Sequence, residues 1–177
     1  MNELNYLKAV KNGSLYFADG SILPIAHWGD PAWAHIFLVR HAEKSKFALH
    51  DPDLTVEGQA RAEHLGRIMA ESGLDLVYAS PFRRAQSTAE PVQRRGNTLA
   101  VETYEPFEQD EWILDQLPNW LGKKIFIVGH QDSVPRLLNQ LKGGGFHFDN
   151  ILNHDYGKFY VVALKGIGEV EIMELRY

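Results

Sequence analysis

Four side chains capable of chemistry stand where apolar runs end or helices begin. Arg40 and His41 follow "HIFLV", Arg84 lies in "SPFRRAQSTA", and His130 follows "KKIFIVG". Two guanidiniums and two imidazoles, with no carboxylate set among them by the pattern, suit a tetrahedral oxyanion such as phosphate. Arginine offers a planar fork of donors that matches phosphate geometry. Histidine can attack, donate or carry a proton near neutral pH. The formal net charge is −5, so an anion must be held by a local cluster of cations and not by the field of the whole chain. The same charge balance argues against a nucleic-acid binder, which would show a basic face.

The elements around these residues alternate. "HIFLV" reads as a strand, and "VEGQARAEHLGRIMAES" as a helix with Thr55 as N-cap and Leu65, Ile68 and Met69 on its inner face. "LDLVYAS" is the next strand and "FRRAQSTAEPVQRR" the next helix, which Pro91 is expected to end or kink. "TLAVETY" and "KKIFIVG" read as strands, "DEWILDQLPNW" as a short helix, and "SVPRLLNQL" as a helix with Pro135 in its first turn. After Gly143, Gly144 and Gly145, "KFYVVALKGIGEVEIMEL" reads as two strands around a turn.

Strands alternating with helices predict an α/β fold, a three-layer sandwich on a mostly parallel, mixed central sheet. In such sheets ligands bind at the carboxyl ends of strands. Arg40 and His41, Ser80, and His130 should therefore share one edge.

The first 34 residues read as a hairpin-like extension packed on the body, and residues 35–177 as a single catalytic domain. "SLYFA" and "SILPI" flank Asp19-Gly20, a pair suited to a tight turn; Pro24 makes the second an edge strand. Trp28 and Trp33 are expected to pack the extension down.

"LVRHAEK", "LTVEGQARA", "ASPFRRAQSTA" and "IVGHQDSVP", in this order, resemble the histidine phosphatase superfamily, which includes the cofactor-dependent phosphoglycerate mutases. "RHAEK" with "VGH…VP" is most similar to small bacterial members related to phosphohistidine phosphatases. The resemblance runs from about His35 to the C-terminus. It implies a phosphoglycerate mutase-like fold and a metal-independent, cofactor-free phosphatase. His41 would be the nucleophile that forms a phosphohistidine, with Arg40, Arg84 and His130 clamping the phosphoryl oxygens. Arg84 is chosen over Arg83 because the pattern places its arginine directly before the position of Ala85. Where relatives often carry Gly after the nucleophile this chain has Ala42, and the asparagine many carry soon afterwards is missing from "AEKSKFALHDPD". Lys44 is the candidate for a further positive contact with substrate. For the general acid, "YEPFEQDEW" offers Glu105, Glu108, Asp110 and Glu111 without a motif that selects one. Cationic neighbours should keep an empty His41 unprotonated.

The expected partner is a phosphorylated small molecule or a phosphohistidine protein. A mutase that returns the phosphoryl group to an acceptor, and a non-catalytic phosphate-binding module, are the competing readings. "HDPD" and "HFDNILNHD" could be imagined as metal sites but read more simply as polar turns; HExxH, GxGxxG and Walker patterns are missing. With no cysteine there is no disulfide framework or thiolate chemistry. The polar N-terminal segment and the lack of an apolar run of about 18 residues lead to the expectation of a cytoplasmic protein with no membrane association. The cavity walls are expected in "SKFALH", after Tyr104, and in "GGGFHFDN".

Overall fold

The computed structural model describes residues 5–47 and 50–177. Nine strands and four helices run in the order β1 (Leu7–Lys11), β2 (Ser14–Phe17), β3 (Ile22–Pro24), β4 (Ala34–Arg40), α1 (Val56–Met69), β5 (Leu76–Ala79), α2 (Arg83–Gly96), β6 (Val101–Thr103), α3 (Gln109–Trp120), β7 (Lys124–Gly129), α4 (Ser133–Leu141), β8 (Lys158–Gly166) and β9 (Glu169–Arg176) among the described residues. The central sheet has six strands in the order β6-β5-β7-β4-β8-β9. The first four are mutually parallel, β8 runs antiparallel to β4, and β9 antiparallel to β8. This is the mixed α/β sheet expected from the alternation of elements.

Every residue of β4 is buried, and its side chains divide by parity. Phe37 and Val39 join one core with Leu65, Ile68 and Met69 of α1 and Ala85, Ala89 and Val92 of α2. Ile36 and Leu38 join the other with Ile113 and Trp120 of α3 and Leu137, Leu138 and Leu141 of α4. Successive strand side chains point to opposite faces, so a strand covered by helices on both faces must be apolar throughout. The charge that follows Val39 comes only where the strand leaves those two layers.

Three local features differ from expectation. Helix α2 runs through Pro91 to Gly96 without ending there. Close packing overrides the lost hydrogen bond: a Cβ on Gly66 of α1 would stand 2.8 Å from the Pro91 carbonyl, so the two helices meet backbone to backbone. The N-terminal sheet has three strands, β1-β2-β3, because Leu7 and Val10 of β1 bury in the first core with Leu15 and Ile25. Asn12 and Gly13 make its first turn with φ of 51° and 76°. Trp28 lies against Gly13, tilts on His35 at 4.9 Å and carries the Lys124 ammonium over its ring. Trp33 stacks instead on His27.

Candidate active site

The register of the parallel strands assembles the site. Arg40 pairs with Gly129, and the His41 amide continues the ladder by donating to the Gly129 carbonyl at 2.9 Å. The next residue on each chain is a histidine, and the two rings meet edge to face with centroids 5.3 Å apart. On the other side of β7, Ala79 pairs with Val128, so Ser80 follows beside His130 and its Oγ lies 2.7 Å from His130 Nε2.

Gly129 is required at this crossing. A Cβ there would stand 2.9 Å from both Ser133 Oγ and Val134 Cγ2. The Ser133 hydroxyl in turn accepts from the His130 amide at 2.9 Å, fixing the turn into α4.

His41 is 3 % exposed. Its Nδ1 lies 2.7 Å from the Ala42 carbonyl oxygen, which can only accept, so Nδ1 carries the proton and Nε2 keeps its lone pair. Burial pushes its pKa down to about 3 against the pull of that carbonyl; His130, Arg40 and Arg84 add smaller like-charge contributions. The expectation that the arginines keep His41 neutral is therefore corrected in emphasis: desolvation does most of it. His130 is pushed down to about 4, again chiefly by burial and then by Arg84.

Arg40, 4 % exposed, is held by the loop that precedes β8. Its Nη1 donates to the carbonyls of Leu152, Asn153 and Asp155 at 2.8, 3.1 and 3.0 Å, and its Nη2 to Gln131 Oε1 at 3.3 Å. The guanidinium also lies 4.1 Å from the centre of the Tyr156 ring. Arg84 rests over the Phe82 ring at 4.5 Å and approaches Asp51 at 3.6 Å. Burial lowers the pKa of both arginines. Arg83 is more exposed and pairs with Asp53 at 2.7 Å, while its amide donates to Asp51. The carboxylates of "HDPD" thus serve the start of α2. Among the described residues no group of three or more His, Asp or Glu side chains is placed to hold a metal.

Arg40, His41, Arg84 and His130 line an open cavity of about 1140 Å³ together with Lys44. Desolvation, and then the charges of Arg84 and Arg40, lower the Lys44 pKa, which places its ammonium within their field. Of the expected walls, Ser45, Lys46, Phe47, Pro106, Phe107 and Asn150 reach the cavity; Ala48 and Leu49 lie outside the described residues. Glu105, Glu108, Asp110 and Glu111 do not line it. Sequence reasoning missed Gln131, Asn153, His154 and Tyr156. Gln131 stood in plain view next to His130, whereas residues 152–156 carry no periodic signal and act largely through main-chain carbonyls.

The floor of the loop after His41 is equally defined. Glu43 accepts from Arg61 Nε at 2.9 Å with both carboxylate oxygens, and its carbonyl accepts from the Thr55 amide. Gly58 lies against that carbonyl so closely that a Cβ would be 2.2 Å from it.

The family model of the histidine phosphatase superfamily (branch 1) matches residues 36–112, which include His41 and Arg84; His130 joins them through the fold. Phosphoserine phosphatase 1 of Hydrogenobacter thermophilus is 26 % identical over 129 residues, and the match spans 61 % of this chain and 61 % of that protein. Among solved structures, protein histidine phosphatase SixA complexed with tungstate is similar at TM-score 0.64 and 18 % identity, over 80 % of this chain and 96 % of that one. A mycobacterial glucosyl-3-phosphoglycerate phosphatase matches at TM-score 0.60 and 10 % identity, over 82 % and 98 % of the two chains. A phosphoserine phosphatase from Entamoeba histolytica matches at TM-score 0.59 and 16 % identity, over 80 % and 96 %. Over residues 36–112 the chain is thus similar to the histidine phosphatase superfamily, and its architecture is the fold shared by these solved structures.

Proposed function

We propose that the protein is a metal-independent phosphatase that hydrolyses a phosphomonoester or a phosphohistidine through a phosphohistidine on His41. The observation that carries this reading is the bond from His41 Nδ1–H to the Ala42 carbonyl. It leaves Nε2 unprotonated beside a cationic cavity, which is what a nitrogen nucleophile needs. Nε2 attacks phosphorus in line with the leaving group, and water later displaces the histidine. Arg40, Arg84 and His130 hold the phosphoryl oxygens, and Lys44 contacts substrate from the rim. No cofactor is called for.

Electrostatics supports the same roles. Arg40 Nε and Arg84 Nε are buried and have no hydrogen-bond partner among the described residues, donors that an oxyanion satisfies. A bound phosphate favours the protonated form of His130, opposing the burial that keeps it neutral when empty.

Release of phosphate from p-nitrophenyl phosphate, lost in His41→Ala, is the expected result, with phosphate trapped on His41 of the unaltered protein after an alkaline quench in detergent. Interconversion of phosphoglycerates without net phosphate release would point to a mutase instead. Binding of phosphate without turnover on any ester or phosphohistidine peptide would point to a non-catalytic module.

A further inference from the structure

Building on the phosphatase reading, we propose that His154 is the proton donor to the leaving oxygen, which makes phosphate esters of alcohols the substrate class. His154 lines the same cavity as His41, Arg84 and His130. Its backbone is fixed to the clamp, because the carbonyls on either side, Asn153 and Asp155, both accept from Arg40 Nη1. Two residues on, the Tyr156 ring lies 4.1 Å from the Arg40 guanidinium and 6.2 Å from the His41 ring. The imidazole is therefore carried by a segment that cannot drift from the phosphate position without breaking three bonds to Arg40.

The cavity's carboxylates have other work. Both oxygens of Glu43 take Arg61, Asp132 caps the Ser133 amide at 2.9 Å, and Glu57 is turned to its own helix start and Thr55. Lysine and arginine hold their protons too tightly near neutral pH to be good donors, whereas histidine gives one up readily.

His41 Nε2 attacks phosphorus, and the bond to the leaving oxygen breaks with its electron pair on that oxygen. The oxygen takes the proton from the His154 imidazolium and departs as an alcohol. Water then attacks the phosphohistidine, gives a proton to neutral His154 and leaves as phosphate, and the P–N electron pair returns to His41.

The test compares the unaltered protein with His154→Gln on an alkyl phosphate, phenyl phosphate, p-nitrophenyl phosphate and a phosphoramidate. The Arg40 cage uses backbone carbonyls, so the substitution leaves it in place, which an unchanged melting temperature verifies. The expected result is a loss in kcat/KM of about 100-fold or more on the alkyl ester, shrinking as the leaving group becomes more acidic. The loss on p-nitrophenyl phosphate and on the phosphoramidate, whose leaving nitrogen is already protonated, should be at least tenfold smaller. An equal loss on all four substrates overturns the assignment and makes His154 a binding residue. Failure of the unaltered protein on every substrate is a different result, which removes the phosphatase reading and this inference with it.

Discussion

The amide of Ala42 donates to the hydroxyl oxygen of Thr88 at 3.0 Å, and that hydroxyl donates onward to the Arg84 carbonyl at 2.7 Å. One fully buried side chain thus ties the residue after the nucleophile to the helix that carries the second arginine. Replacing Thr88 by valine keeps the shape and leaves the Ala42 amide unpaired, while the Arg84 carbonyl keeps its helical partner, the amide of residue 88. The expected cost is about 1–3 kcal/mol in urea denaturation, together with a fall in kcat/KM. Thr88→Ser should restore most of both; an inactive but fully stable serine variant would contradict this account.

The low pKa of His41 predicts what its titration looks like. The Cε1 proton resonance should not move between about pH 5 and pH 8, and a midpoint near 6.5 would refute burial as the controlling influence. Between the unfolded value of 6.5 and the folded value of about 3, the folded chain binds fewer protons than the unfolded one. The stability His41 contributes is therefore complete above pH 6.5 and is lost as pH falls toward 3. His130, folded at about 4, acts in the same direction. Urea midpoints measured down that range should decline, and less steeply in His41→Gln.

Gly58→Ala should disturb catalysis from a distance. The new Cβ would stand 2.2 Å from the Glu43 carbonyl, so either α1 or the segment after His41 must move. A loss of about 1–3 kcal/mol in stability is expected from overpacking, with kcat reduced more than KM raised. Gly166→Ala, where a Cβ meets nothing within 4 Å, is the control and should stay within about 0.5 kcal/mol.

Arg40→Lys keeps the charge and removes the fork. Lysine cannot serve three carbonyls and Gln131 with one planar group, so residues 152–156 should exchange their amide hydrogens faster. Turnover should fall by roughly 100-fold or more, the scale of losing an oriented oxyanion donor. Unchanged exchange in that loop would show that it is held by something else.

Much of this was legible because it is periodic or punctuated. The apolar run Ile36–Val39 of β4 ending on Arg40 and His41, the capped α1 and the Gly129–His130 strand end announce themselves through burial and turn chemistry. Strand β1 was missed although Asn12-Gly13 is a strong hairpin signal, because Lys8 and Lys11 dilute its apolar positions. Pro91 does not end α2, because propensity is local while the close contact at Gly66 is not. The Arg40 cage was illegible for a simpler reason: carbonyl oxygens have no letter in the sequence.

That last fact has an evolutionary consequence. The proton on His41 Nδ1 and the orientation of Arg40 are set by main-chain oxygens of Ala42, Leu152, Asn153 and Asp155. No point mutation deletes a carbonyl, so these settings present almost no mutational target. Side chains at Leu152 and Asn153 can therefore drift and try new substrates while the chemistry beneath them stays aligned.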